Sequence, residues 1–291
     1  MMQIKNIPEI FKSDDTVYHY TTVETALNFI LRGQKIRLSP RKNSIDPIEN
    51  SEDWYSYSDG GHEASAPQDK DNAYKVKDLF KKRLSKTKQV CFCKNNEIKD
   101  EDKRNNLPIE KYGFLKPRMW DNYGHKYKGI CLAFSRKELE KEAIRTKIIF
   151  DDLNYDSFYN ISKQHKSIDV KGVKRVGVEK YYEQSLKKLE QRLFDKHLDY
   201  LGENEFRLCS FSGNDYDYLD ISNALKGVFI SNLGINQHLL SAFRQVTPAV
   251  ILDEYMFIVN WRNKVNLTSF KLLFDIKRSV KIKIAEQSKC K

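Results

Sequence analysis

Apolar positions along the chain follow two periods, and each change of period marks a change of element. VYHYT at 17–21 reads as a short strand. Behind it, Thr21 and Glu24 have capping-box spacing, Ala26, Leu27, Ile30 and Leu31 form a helical stripe, and Gly33 supplies a stop. KIRLS places Ile36 and Leu38 on one strand face. A basic amphipathic helix over about 72–86 follows, with Val76, Leu79, Phe80 and Leu84 on one side, and VCFC reads as a buried strand. PRMWDNYG is a short helical turn and KGICLAF the clearest strand. Ser135 and Glu138 repeat the capping spacing and open the helix RKELEKEAIR, after which KIIF is another strand. Leu186, Leu189, Leu193 and Phe194 predict a helix from about 178 to 199. Strands NEFRLCSF and KGVFIS, separated by a turn at SGNDYDYLD, then the helix INQHLLSAFRQV and the strand EYMFIVNW complete the pattern.

The stretches 40–70 and 155–177 are polar and weakly patterned and read as inserts; NNEIKDEDKRNN reads as a solvated loop. No segment is rich enough in Pro, Gly or Ser to separate two domains. The expectation is one α+β domain over 1–291 with a mixed sheet and flanking helices, a core at about 17–260, and a basic C-terminal extension at about 261–291.

Composition narrows the class. Of 291 residues, 40% are hydrophobic and 12% aromatic, enough for a packed core and incompatible with a disordered or collagen-like chain. Lys and Arg number 51 against 40 Asp and Glu, a net charge of +11 that suits either a polyanionic partner or a generally soluble surface. Charge alone does not choose between them. The basic residues concentrate at Lys81-Lys82-Arg83 with Lys86 and Lys88, and between Lys277 and Lys291. No apolar run approaches the ~20 residues that span a bilayer, and the opening MMQIKNIPEIFKSDD lacks a signal-like core, so the expected location is cytoplasmic, with no membrane partner. The five cysteines lack zinc-site spacing, and VCFC, ICLAF and RLCSF suggest small core residues.

The stretch Glu203-Asn204-Glu205-Phe206-Arg207 is the most informative for chemistry. On a strand, Glu203, Glu205 and Arg207 share one face and Phe206 and Leu208 the other. Adjacent carboxylates with a guanidinium are used in acid–base and oxocarbenium-stabilising sites, but an exposed salt bridge has the same spacing. His19, at the end of an apolar strand before a helix, suits either an anion or sugar contact or a structural histidine. Trp120, Tyr123 and Tyr127 can sandwich a flat ring or pack a core. Dinucleotide-fold, P-loop, serine-hydrolase and zincin signatures are absent, and the six histidines have no ligand spacing, so no metal is expected.

The ordered set VYHYT, KIRLS, SIDPIEN, VCFC, MWDNYGHKYKGICLAF, Lys196-x-x-x-Tyr200 and E-x-E-x-R at 203–207 resembles the bacterial domain of unknown function 2971 family over about residues 17–235. Two positions depart from the family's usual pattern: Ile45 where Asn is usual and Tyr200 where Trp is usual. The family in turn is similar to the ADP-ribosyltransferase superfamily, including DNA-modifying DarT-type enzymes, and often occurs near phage-defence or toxin systems. The resemblance implies an ADP-ribosyltransferase-like sheet and NAD as substrate. It implies His19, with Tyr20 and Thr21, at the adenosine-side ribose, and Trp120 or Tyr123 over the nicotinamide. Glu205 would be the catalytic glutamate, kept ionised by Arg207, and Glu203 would orient the acceptor. It further implies a nucleic-acid or protein acceptor and an antitoxin or other defence component as partners. An NAD glycohydrolase on the same scaffold, or a non-catalytic nucleic-acid-binding or sensor protein, are the alternatives.

Overall fold

A computed structural model describes residues 7–44, 57–58, 67–97, 111–164, 167–261 and 265–269. Most of the polar stretch at 40–70, the loop from 98 to 106, the C-terminal extension from 270 and Cys290 lie outside the described residues. In chain order the elements are β1 (Thr16–Thr21), α1 (Val23–Thr25) continuing as a π-helix (Ala26–Leu31), β2 (Lys35–Pro40), β3 (Tyr57–Ser58), α2 (Pro67–Ser85) and β4 (Lys88–Lys94). Next come α3 (Pro117–Asn122), β5 (Ile130–Ser135), α4 (Arg136–Arg145), β6 (Ile149–Asp152), β7 (Asn154–Asp156), α5 (Phe158–Gln164), β8 (Ile168–Asp169), α6 (Val170–Val176) and α7 (Val178–Gln191). The chain ends through β9 (Asp195–His197), β10 (Glu205–Ser210), β11 (Asp217–Asp220), β12 (Leu225–Ser231), α8 (Gln237–Val246), α9 (Ala249–Glu254), β13 (Met256–Asn260) and β14 (Asn266–Ser269).

The chain divides into two compact units, one of Met1–Ile36, Phe92–Glu142 and Leu219–Lys291, the other of Arg37–Cys91 and Ala143–Tyr218. Neither unit is continuous, and the crossings fall inside β2, β4, α4 and β11. That explains the missing linker: the chain changes unit within regular elements, where no Pro- or Gly-rich segment is needed.

The first unit is built on β5, whose six residues are all buried. β1 pairs with it antiparallel from Thr16–Ser135 to Thr21–Ile130, and β12 lies antiparallel on its other side. β13 is parallel to β12, β14 antiparallel to β13, and Cys93 and Lys94 of β4 pair with β1. The sheet is therefore mixed and the architecture α+β, with α8 and α9 supplying the crossover that a parallel pair requires. Alternation along β1 sends Tyr18 and Tyr20 into an aromatic core with Phe11, Phe114, Trp120 and Phe229. The Phe114 and Phe229 rings stack at 4.1 Å, and Gly113 lets the chain pass the Tyr18 ring, which a Cβ would strike.

In the second unit α2, α6 and α7 pack together over a core of Ala73, Val76, Phe80, Leu84, Val170, Val173, Leu189, Leu193 and Cys209. β6 pairs antiparallel with β10, and β7 parallel with β9. The stretch 155–177 is thus not a loose insert. Its Val170 and Val173 are buried by α2 and α7, a contribution that local patterning of seven residues is too short to reveal.

Other boundaries shift for physical reasons. β1 runs through Thr21, and the helix cap is Thr22, whose hydroxyl accepts from the Thr25 N–H at 3.1 Å. The helix predicted to 199 ends at Gln191. A 3₁₀ turn over Arg192–Phe194 still buries Leu193 and Phe194, which preserves the helical period, before the chain turns to β pairing. The turn expected at SGNDYDYLD contains β11. Ser135 caps α4 as expected, accepting from the Glu138 N–H at 3.3 Å, while its own hydroxyl donates to Asp15. Cys91, Cys93, Cys131 and Cys209 carry free thiols, the last three buried as small core residues.

Asp217, turned inward from β11, accepts hydrogen bonds from Ser210 (2.5 Å), Ser212 (2.8 Å) and Asn214 (3.3 Å). Burial pushes its carboxyl up, but these donors and the Lys88 ammonium outweigh burial and leave it below the usual carboxylate range. A carboxyl lowered by folding stabilises the fold above the unfolded value of about 3.9, and that stability is lost as pH falls through the lowered value. Asp217→Asn is therefore expected to melt lower than wild type at pH 7 and to lose less melting temperature between pH 4 and pH 2; parallel curves for the two proteins contradict this.

Candidate functional site

The charged centre of the second unit is assembled from β9, β10 and the turn between them. Lys196 Nζ donates to Glu203 Oε2 at 2.7 Å and to Glu205 Oε2 at 2.9 Å. Arg207 Nε donates to Glu205 Oε1 at 2.8 Å, and its Nη1 donates to the Leu193 carbonyl at 2.7 Å. All four side chains are enclosed: Glu203 is 2% exposed, Glu205 4%, Arg207 1% and Lys196 5%. Two carboxylates and two cations cancel, which is the condition under which charges persist in an interior.

Local structure explains the convergence. Glu205 and Arg207 share a face of β10, as the alternation predicts. Glu203 is not on that strand: it ends a 3₁₀ helix over Leu198–Glu203, and Asn204, left-handed at φ 47°, turns the chain into β10. The three residues still come together, because Lys196 reaches both carboxylates. Parallel pairing of β7 with β9 sets Tyr155 opposite Lys196, and the Tyr155 hydroxyl accepts from the Glu205 N–H at 2.9 Å. Burial, reinforced by the Glu205 charge, raises the Tyr155 phenol, so it remains protonated. Lys196 also lies 4.7 Å over the Tyr200 ring, a cation–π contact.

Sequence reasoning assigned Lys196 and Tyr155 no role. A signal for the lysine was present: a face with Glu203, Glu205 and Arg207 carries one uncompensated negative charge, so burying it calls for a further cation.

The other candidates belong to the first unit. On β1, His19 faces away from Tyr18 and Tyr20, half-buried and tilted against Phe92 at 5.7 Å; Thr21 shares its face. Tyr20 and Trp120, expected at the cofactor, are core residues. Tyr20 donates to the Gly113 carbonyl at 2.5 Å, and Trp120, with no exposed surface, donates to the Phe114 carbonyl at 2.9 Å. Their rings meet edge to face at 5.3 Å, a common way for aromatic cores to pack. Tyr123 is partly buried at the margin of that core. The structure thus brings Glu203, Glu205 and Arg207 together in one unit, and places His19, Thr21, Tyr20, Trp120 and Tyr123 in the other. Among the described residues no three His, Cys, Asp or Glu side chains converge as a metal site, and no helix is long and apolar enough to cross a membrane.

Residues 119–208 match the family model described as "Protein of unknown function (DUF2971)". The matched stretch runs from α3 through the Glu203–Arg207 segment and ends at Leu208, so it takes in the whole charged centre and leaves out β1 with His19. No curated protein and no solved structure matches the chain.

If charge balance holds the centre together, removing either cation leaves a buried carboxylate uncompensated, at a cost of about 3–5 kcal/mol. Lys196→Met and Arg207→Met are expected to lose stability on that scale in urea unfolding. Glu203→Gln should lose stability on the same scale, since it leaves one buried cation uncompensated. Losses under about 1 kcal/mol for both cation variants contradict the role of neutrality.

Proposed function

We propose that the Glu203–Glu205 centre is the catalytic site of an ADP-ribosyltransferase that consumes NAD, a toxin-like defence effector modifying a nucleic acid or protein. The observation that carries this reading is the pair of carboxylates gathered on Lys196 and fixed by Arg207 inside the fold. Four enclosed charges often stabilise a fold no better than apolar side chains of similar volume, which favours a chemical role for the cluster.

In this reading, the bond between C1′ of the ribose and the nicotinamide nitrogen breaks with its electron pair leaving on nicotinamide. Positive charge develops on the ribose, and Glu205 stabilises it more in the transition state than in the ground state. A nucleophile of the acceptor, oriented by Glu203, forms the new bond to C1′ and releases its proton to solvent. Glu205 is 4% exposed, so turnover requires the cover over it to open.

One observation favours a second reading. Both oxygens of Glu205 are already hydrogen-bonded and the four charges cancel, as in a cluster that only holds a non-catalytic binding or sensor protein together. Incubation with labelled NAD and cell extract separates the two. A labelled macromolecule that Glu205→Gln reduces at least about a hundredfold, at unchanged KM for NAD and with the variant still folded by circular dichroism, supports the transferase. Labelling that survives the substitution removes Glu205 from catalysis. Nicotinamide release without a labelled target identifies a glycohydrolase, and neither product in any condition leaves the second reading.

A further inference from the structure

The basic run at 81–88 takes no part in the carboxylate centre, and within the second unit it lies beside an aromatic loop. Lys88 Nζ donates to the carbonyl (2.9 Å) and hydroxyl (3.2 Å) of Ser212, in the loop between β10 and β11. The Arg83 guanidinium lies 3.7 Å above the ring of Phe211, at the start of the same loop. At its other end the Arg37 guanidinium lies 4.5 Å above the Tyr216 ring.

The outer edge of this loop is unusual for a surface. Alternation along β11 turns Asp217 and Leu219 inward and leaves Tyr218 56% exposed, and Tyr216, just before the strand, is 39% exposed. Positions two apart on extended backbone are ~7 Å apart, about twice the ~3.4 Å rise of stacked bases. Lys82, in the last turn of α2, and Lys86, just beyond it, are exposed. Acidic neighbours are present: Asp215 and Asp220 are exposed, Glu190 is bound to Arg83, and Asp217 is held by its serine and asparagine donors. With Arg83 paired to Glu190, the cations Arg37, Lys82 and Lys86 outnumber the two outward acids.

We propose that this surface binds single-stranded nucleic acid, with unpaired bases stacking on Tyr216 and Tyr218 and the phosphates running along Arg37, Lys82 and Lys86. Aromatic rings take any base face, and stacked arginines with flanking lysines follow the backbone, so binding is independent of sequence. The inference gives the acceptor of the proposed transferase a chemistry, and to that extent rests on that reading; the binding itself does not.

The test is fluorescence anisotropy of the full chain, without NAD, against labelled oligo-dT, oligo-U and a duplex of equal length. Both single strands should bind more tightly than the duplex. Tyr216→Ala and Tyr218→Ala should each weaken binding roughly 5- to 150-fold, while the Phe variants retain it. Lys82→Gln with Lys86→Gln should lower the slope of log affinity against log salt by about 1.4. The wild-type chain should bind whether or not it labels a target, so a protein that binds but never labels a target defeats the transferase and not this surface. Equal affinity for duplex, indifference to the tyrosine substitutions, or no binding at low salt overturns the proposal.

Discussion

The arrangement of the second unit around its charged centre depends on electrical neutrality. A carboxylate taken out of water is tolerated only with a partner, and here two of them depend on one ammonium and one guanidinium. Lys196 is the element common to both. Its position explains why the chain leaves a helix that the apolar period would continue: α7 stops at Gln191, and β9 pairs with β7 so that Lys196 arrives beside Tyr155 and under the carboxylates. Asn204 then takes up a left-handed conformation that an ordinary strand avoids, and asparagine is among the few residues that do so at small cost.

Burial gives that centre its double character. The low-dielectric surroundings that would strengthen a carboxylate's hold on a developing cation also strengthen its hold on Lys196 and Arg207. Chemistry and cohesion therefore draw on the same contacts. Function on this scaffold is inseparable from access, because the reacting group and the structural group are the same atoms. The loop after β10 stands in contrast, with the Tyr216 and Tyr218 rings exposed and the Tyr216 ring met by the exposed Arg37 guanidinium.

The first unit shows how far strand alternation reaches. The six residues of β1 fall into two sets, and the period of two separates Tyr18 and Tyr20 from His19 with no further information. Reading VYHYT as a strand divides them, whereas the family resemblance treats the motif as one block and sets Tyr20 beside His19. Trp120 illustrates a different limit. A tryptophan beside Tyr123 and Tyr127 has the same local sequence whether it covers a ligand or fills a core, and only the Phe114 carbonyl that receives its indole N–H distinguishes the two.

Most strands and helices were legible because their apolar residues repeat at 2.0 or 3.6 positions, a property of the local chain alone. The α+β class followed from their order, and the pairing of Glu205 with Arg207 followed from alternation within β10. Tertiary structure decided the rest. It chose Lys196 as the missing cation, ended α7 early, gave the stretch 155–177 a buried role, and divided the chain into two units at crossings inside regular elements. It also set Lys88 and Arg83 against a loop more than a hundred residues further along the chain. The physical reason is common to these cases. Period and propensity act between near neighbours, whereas charge compensation and burial are satisfied by whatever group the fold brings within a few ångströms, however distant in sequence.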